Sequence, residues 1–251
     1  MKNIITTIAV AITIIAGQFV SGTNTAKASP IVEIQNPKGN KNVETKDIWV
    51  KNFDKIKIEV DAEVHYYQSE SESGIKITID ENLFELINAT VDVNTLTIKL
   101  YQNVKLQPSK FVIEIYTNNI ELISNKKNAT IEFKTEINVK ELKIENKGNG
   151  KIFSMKSTEV KDLEVENIGD GTITLVGKAD NARIFLSGAG KINMENYAIR
   201  NCTCENSGAG DIYIYASKQL DCMLFGKGNI YYMGDPEIKK DIPGVGKLIK
   251  R

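Results

Sequence analysis

Residues 184–192 read Ile-Phe-Leu-Ser-Gly-Ala-Gly-Lys-Ile, and residues 204–212 read Cys-Glu-Asn-Ser-Gly-Ala-Gly-Asp-Ile. A glycine pair followed two residues later by isoleucine occurs five times. The pairs are Gly148/Gly150, Gly169/Gly171, Gly188/Gly190, Gly208/Gly210 and Gly226/Gly228, followed by Ile152, Ile173, Ile192, Ile212 and Ile230. The steps between second glycines are 21, 19, 20 and 18 residues. A period near twenty marks a solenoid. Six residues before each second glycine stand Ile144, Val165, Ile184, Cys204 and Cys222. Eight before it stand Leu142, Leu163, Ala182, Cys202 and Leu220. Positions two apart share one face of a strand. Each repeat therefore reads strand, glycine turn, strand, with one apolar face, and stacking turns these positions into internal columns. The predicted fold is all-β, a single-chain parallel β-helix. The turns are expected to need glycine because φ is positive there and a neighbouring coil passes close.

Working outward, residues 120–133 match a coil without glycines. Ile120, Leu122, Ile131 and Phe133 supply its apolar positions and Asn125-Lys126-Lys127-Asn128 its turn. Upstream, residues 49–118 read as a separate N-terminal β region. Ile56, Ile58 and Val60 alternate as a strand. Residues 64–68 and 75–79 predict a hairpin across the polar turn 69–74, and Asp80 a helix cap for 82–88. Residues 91–93 and 96–100 pair around Asn94-Thr95, and Phe111, Ile113 and Ile115 give one more strand. Downstream, residues 234–251 break the period with Pro236 and Pro243 and read as a C-terminal cap of the solenoid, which spans 119–251.

The address is written at the N-terminus. Lys2, an apolar run over residues 4–20 and Ala26-Lys27-Ala28 form a secretory signal peptide ending at residue 28. The alternative is an uncleaved anchor, since the run is close to the lower limit for a span. Residues 29–48, polar with Pro30, Pro37 and Gly39, read as an extended leader. No second apolar run follows, so the mature chain is expected not to span a membrane. The expected destination is the periplasm, the cell surface or the medium. The 32 basic and 32 acidic residues balance, and arginine occurs only at Arg183, Arg200 and Arg251. This composition argues against a nucleic-acid binder. Cys202, Cys204 and Cys222 all occupy inward positions, which favours reduced core thiols over a disulfide.

Several patterns recur together. They are Phe53-Asp54-Lys55-Ile56, Asp80-Glu81-Asn82-Leu83, Leu96-Thr97-Ile98, the two Ser-Gly-Ala-Gly turns and residues 234–241, Gly-Asp-Pro-Glu-Ile-Lys-Lys-Asp. The set resembles the bacterial head-GIN-domain family of auto-transporter adhesins over residues 49–251. The resemblance implies a secreted β-helical envelope protein with no catalytic residues to carry over. The chain departs from the family at residues 125–128, where a glycine-rich turn would be usual. Self-export would require a membrane barrel of many alternating strands, which is not expected here.

Chemistry is sparse. A calcium roll repeats every nine residues, unlike this period. The lone histidine, His65, lies far from the cysteines and reads as a strand surface residue, so no metal or other cofactor is expected. Glu145 and Glu166 take equivalent outward places on neighbouring coils. A polysaccharide-cleaving enzyme could use such carboxylates, but basic residues alongside predict a solvated charge ladder. Asn146, Asn167 and Asn206 suggest a structural asparagine ladder, interrupted at Leu186 and Leu224. The binding candidates are Tyr213, Tyr215, Tyr231 and Met233, four large outward side chains on two adjacent coils. Three readings remain open for them: cover by the tail, a partner-protein interface, or a glycan platform. The function read from the sequence is a non-enzymatic binding or structural adhesin of the cell envelope.

Overall fold

The structure is a computed structural model that describes residues 36–101 and 104–251. The signal peptide and the start of the leader lie outside the described residues. The chain is almost wholly extended. β1 (Val43–Ile48), β2 (Lys55–Ile58), β3 (Glu63–Gln68) and β4 (Gly74–Asp80) lead into a 3₁₀ turn at Glu81–Leu86. β5 (Ile87–Asp92), β6 (Thr95–Leu100), β7 (Phe111–Thr117), β8 (Leu122–Asn125) and β9 (Thr130–Phe133) follow. Next come β10 (Ile137–Asn146), β11 (Lys151–Ser154), β12 (Thr158–Asn167), β13 (Thr172–Thr174) and β14 (Gly177–Leu186). β15 (Lys191–Asn206), β16 (Ile212–Leu224), β17 (Ile230–Met233), β18 (Glu237–Asp241) and β19 (Leu248–Lys250) complete it.

From β8 onward each coil lies on the preceding one in parallel register. Ile131, Ile152, Ile173, Ile192, Ile212 and Ile230 pair in succession. All six are 0–1% exposed. The second column, Ile144, Val165, Ile184, Cys204 and Cys222, is equally continuous and buried. Each fully buried isoleucine contributes roughly 1.5–3 kcal/mol, so the columns hold the coils together. In the glycine-free coil the register differs from the expected one by a residue. Ile123 pairs with Ile144 and takes the column, while Leu122 pairs with Lys143 on the outer side.

The paired glycines are required by crowding, not by backbone sign. Positive φ at glycine occurs at Gly74, Gly177 and Gly234. It occurs at none of Gly148, Gly150, Gly169, Gly171, Gly188, Gly190, Gly208, Gly210, Gly226 and Gly228, which corrects half of the expectation. The close approach is what holds. A Cβ at Gly171 would collide with the Gly150 carbonyl oxygen and Asn146 Nδ2; at Gly190 it would collide with the Gly171 carbonyl and Asn167 Nδ2. Gly210 is buried against the Gly190 backbone, and a Cβ there would run into the Gly190 carbonyl group. The asparagines explain this crowding. Asn125, Asn146, Asn167 and Asn206 are buried, and each donates its Nδ2 to the turn carbonyl four residues on, at 2.8–3.0 Å. In the fourth case the acceptor is Gly210 itself. The carbonyls of Ala129, Gly150 and Gly171 also accept the N–H of Lys151, Thr172 and Lys191 on the next coil, so the asparagine adds a second bond that ties each turn back to its own strand.

The tail is not a separate cap. β18 pairs in parallel with β16, and β19 with β17. Gly244 and Gly246 form a sixth glycine turn eighteen residues after Gly226 and Gly228. Pro243 lacks the N–H that Phe225 donates to Asn206 one coil earlier. Gly244 donates to the Leu224 carbonyl instead, at 2.9 Å. The prolines that hid this coil thus sit where the ladder tolerates them.

The boundary expected near residue 118 is not a structural break. β2 lies between β6 and β8, and β3 between β7 and β9, all in parallel. The first coil in sequence is therefore sandwiched between the second and the third. The hairpin expected between residues 64–68 and 75–79 does not form, because both edges of β3 are occupied. Instead β4 crosses to the end of the stack and pairs antiparallel with β7 and with β1, which lies in the supposed leader. β5 closes antiparallel on β6 through Val93 and Asn94, at φ 42° and 59°. The helix expected at 82–88 is the 3₁₀ turn, and Asp80 makes no capping bond to it.

Candidate functional site

β16 and β17 place the tyrosines. Alternation buries Ile212, Ile214 and Ile230 and turns Tyr213, Tyr215, Tyr231 and Met233 to the outer face, all half-buried. Register puts Tyr213 beside Tyr231 and Tyr215 beside Met233. The first two rings stack with centroids 4.7 Å apart and planes 9° from parallel. Lys191 Nζ lies 4.1 Å from the Tyr213 ring centre, and the Arg251 guanidinium 5.7 Å away. Asn229 Nδ2 donates to the Tyr231 hydroxyl at 3.4 Å. The expected cover by residues 236–248 is not there, because that segment is the next coil. Ile249 simply continues the Tyr213–Tyr231 column, and Arg251 reaches back to pair with Glu195. The rings turn their faces to each other and to Lys191, which leaves edges and hydroxyl groups outward. A sugar ring stacks on an open aromatic face, so the glycan-platform reading loses its geometric basis here.

A second stack, Tyr67 on Tyr116, has centroids 4.8 Å apart and planes 7° from parallel. Lys76 Nζ sits 4.9 Å from the Tyr116 ring centre. Both phenols donate to Glu114 Oε1 at 3.5 Å. Sequence reading missed this pair, since its partners are 49 residues apart and come together only through the non-sequential coil order.

The charged column behaves as a ladder. Lys143 Nζ lies 3.2 Å from Glu145, 3.2 Å from Glu164 and 2.9 Å from Glu166. Ser124 Oγ donates to Glu145 at 2.9 Å, and Lys147 pairs with it at the same distance. Burial opposes charge on Glu145, but the bonds from Lys147, Ser124 and Lys143 outweigh it and hold the carboxyl below its ordinary range. A glycosidase acid needs the opposite shift. His65 Nε2 is 2.7 Å from Glu63 Oε1. The three cysteines are free and buried. Burial pushes their thiols up, Cys222 to about 12, which makes them poor nucleophiles. Among the described residues no cluster of three His, Cys, Asp or Glu side chains is placed to hold a metal ion.

Two grooves run along the coils on either side of a bend in the long strands. Lys140 and Glu141 are consecutive and both exposed, as are Asp180 and Asn181, so strand alternation breaks and the chain turns a corner there. One groove, about 620 Å³, has Glu141, Asp162, Glu164 and Asp221 along its sides with Lys143 and Arg183 among them. The other, about 760 Å³, carries Lys140, Lys161, Lys178, Arg200 and Lys218. The column pattern around the glycines carries no signal of this bend.

Residues 52–236 match the family described as putative auto-transporter adhesin, head GIN domain, and the chain belongs to it. Similar solved structures include a putative adhesin from Bacteroides fragilis, 28% identical with TM-score 0.80, over 85% of this chain and 99% of that one. A putative adhesin from Parabacteroides merdae is 26% identical with TM-score 0.69, over 86% and 99%. A putative lipid binding protein from Parabacteroides distasonis is 25% identical with TM-score 0.71, over 86% and 100%. Among curated proteins none matches the chain. The family is adhesin-like, which points to a surface or secreted protein. No helix among the described residues is long and apolar enough to cross a membrane.

Proposed function

We propose that the chain is an exported, non-enzymatic adhesin of the cell envelope that contacts a partner protein through the tyrosine face of its last coils. The observation that carries this reading is the outward, half-buried Tyr213–Tyr231 stack, continued by Tyr215 and Met233, which residues 236–248 do not cover. Tyrosine edges and hydroxyls beside Lys191 and Arg251 suit a protein surface, where tyrosine and arginine are enriched. The ion pairs of Lys143 and Lys147 with the neighbouring carboxylates support a structural role for Glu145 and Glu166. The relative described as lipid binding shares the fold. In this chain the interior is filled by the isoleucine, valine and cysteine columns, which favours a surface contact over an enclosed lipid.

The test is an array of envelope proteins and glycans probed with the native chain and with Tyr213→Ser/Tyr231→Ser. The expected result is a protein ligand whose capture falls at least a few-fold in the double variant while the melting temperature holds. Lower stability with unchanged capture would make the stack purely structural. Hydrolysis of any captured glycan by the native chain, lost in Glu145→Gln/Glu166→Gln, would overturn the non-enzymatic reading.

A further inference from the structure

The bend carries a charge pattern of its own, away from the tyrosine face. Lys140, Lys161, Asp180 and Arg200 occupy equivalent places on successive coils, each between paired residues. Lys218 joins the line at a bulge. Neighbouring coils are ~4.8 Å apart, so Lys140 and Lys161 on one side of Asp180, and Arg200 and Lys218 on the other, form two pairs of close cations, each of which costs mutual repulsion. Asp180 offsets part of it, and direct ion pairing adds little more. Lys140 lies 3.5 Å from Glu141 and Lys178 2.9 Å from Glu159, whereas Lys161, Arg200 and Lys218 make no ion pair among the described residues. The line forms one wall of the groove of about 760 Å³, with Val139, Val160 and Ala179 at its base; Glu159 and Asp180 also line it, against the five cations Lys140, Lys161, Lys178, Arg200 and Lys218. No aromatic side chain lines it and Arg200 is its one arginine, so it lacks what stacks nucleobases or forks phosphates. A groove also admits a chain where it would not admit a bilayer surface.

We infer that this groove binds a linear acidic polysaccharide. Its carboxylates lie against Lys161 on one side of Asp180 and against Arg200 and Lys218 on the other, and the C–H faces of its rings rest on the valine–alanine base. The inference rests on the reading of the chain as an envelope binding protein but uses a different face from the tyrosines. The test titrates the purified chain with sodium polygalacturonate, alongside neutral dextran, polyphosphate, poly-dT and phosphatidylglycerol vesicles. The expected result is saturable polygalacturonate binding that weakens at least tenfold between about 50 and about 300 mM salt, as screening requires. Lys161→Glu/Arg200→Glu/Lys218→Glu should weaken it at least tenfold with an unchanged melting temperature. Lys151→Glu/Lys227→Glu/Lys247→Glu, the same charge change elsewhere, should bind as the native chain does. The inference is overturned if polygalacturonate does not bind at low salt, if both triple variants lose binding equally, or if poly-dT, polyphosphate or vesicles bind at least as tightly. Tyr213→Ser/Tyr231→Ser keeps the groove intact, so its polygalacturonate binding should be native and the two readings fail separately.

Discussion

At one end of the solenoid, strands running against the coil direction cover the last coil: β5 on β6, and β4 with β1 on β7. At the other end β18 and β19 run with the coils, and among the described residues each pairs on one side only. The first end is closed by hydrogen bonding and held by Asp80. That buried carboxylate accepts from the backbone of Lys41 and Ser109, both at 2.7 Å, and from Ser109 Oγ. The second end is protected by charge. β18 reads Glu-Ile-Lys-Lys-Asp and is exposed throughout. Antiparallel pairing with a copy of itself about Lys239 would set lysine on lysine and Glu237 on Asp241, which discourages edge-to-edge association. A stack of coils has no natural terminus, so each end needs its own device. One device is topological and the other electrostatic.

That contrast can be broken most severely in the middle. Ile192→Asp places an unpaired charge between two packed coils and should cost more than about 4 kcal/mol, whereas Leu248→Asp on the half-buried last coil should cost about 1 kcal/mol. Urea unfolding of both variants decides it; equal losses would mean that the open end is as tightly packed as the centre. The next largest effect concerns the turns. Gly171→Ala forces a Cβ into the Gly150 carbonyl and should cost roughly 3 kcal/mol. Ala129→Gly, at the equivalent place in the glycine-free coil, should stay within about 1 kcal/mol. If the two cost the same, crowding is not what selects glycine.

The closed end should respond to acid. Hydrogen bonds, the Ser109 hydroxyl first, hold the Asp80 carboxyl below its ordinary range against the effect of burial. The unfolded chain therefore takes up this proton more readily than the folded one. The contribution is complete above the unfolded pKa near 4 and is lost as pH falls through that value and toward the lower folded one. Melting temperatures should decline across this acidic range, and Asp80→Asn should lower the neutral-pH value and flatten the decline. An unaltered pH profile would show that Asp80 does not secure this end. The smallest effect is a gain. Val93 is exposed and held at φ 42°, where a β-branched residue is strained. Val93→Asn should stabilise the β5–β6 turn by about 0.5–1 kcal/mol. A lower melting temperature would mean that the valine side chain contributes contacts outweighing the strain.

The parts read correctly and incorrectly divide along the same axis. Ile152, Ile173, Ile192, Ile212 and Ile230 announce their column because each coil's neighbour is the next coil in sequence. The asparagine ladder is legible for the same reason. The sixth turn at Gly244 and Gly246 was equally periodic, and Pro236 and Pro243 masked it. Nothing periodic announced that β2 would lie between β6 and β8, since Ile56, Leu96 and Ile123 are interchangeable apolar residues on alternating strands. The Tyr67–Tyr116 stack depends on that order and was invisible with it.

The amino-acid sequence alone determined the architecture, the inward columns, the glycine-turn spacing and the outward placement of Tyr213 and Tyr231. These follow from a period of about twenty residues and strand alternation, both local properties of the chain. Only the tertiary structure decided the coil order before residue 120, the two kinds of end, the face-to-face tyrosine stacking and the basic line at the bend. It also decided why glycine stands at positions such as Gly210, where the preceding coil's carbonyl and not the sign of φ leaves no room for a side chain. Each of these depends on which strand edges meet and where a strand turns. Edges are alike in backbone chemistry, and alternating apolar side chains mark the face that is buried but not the neighbour that lies beside it.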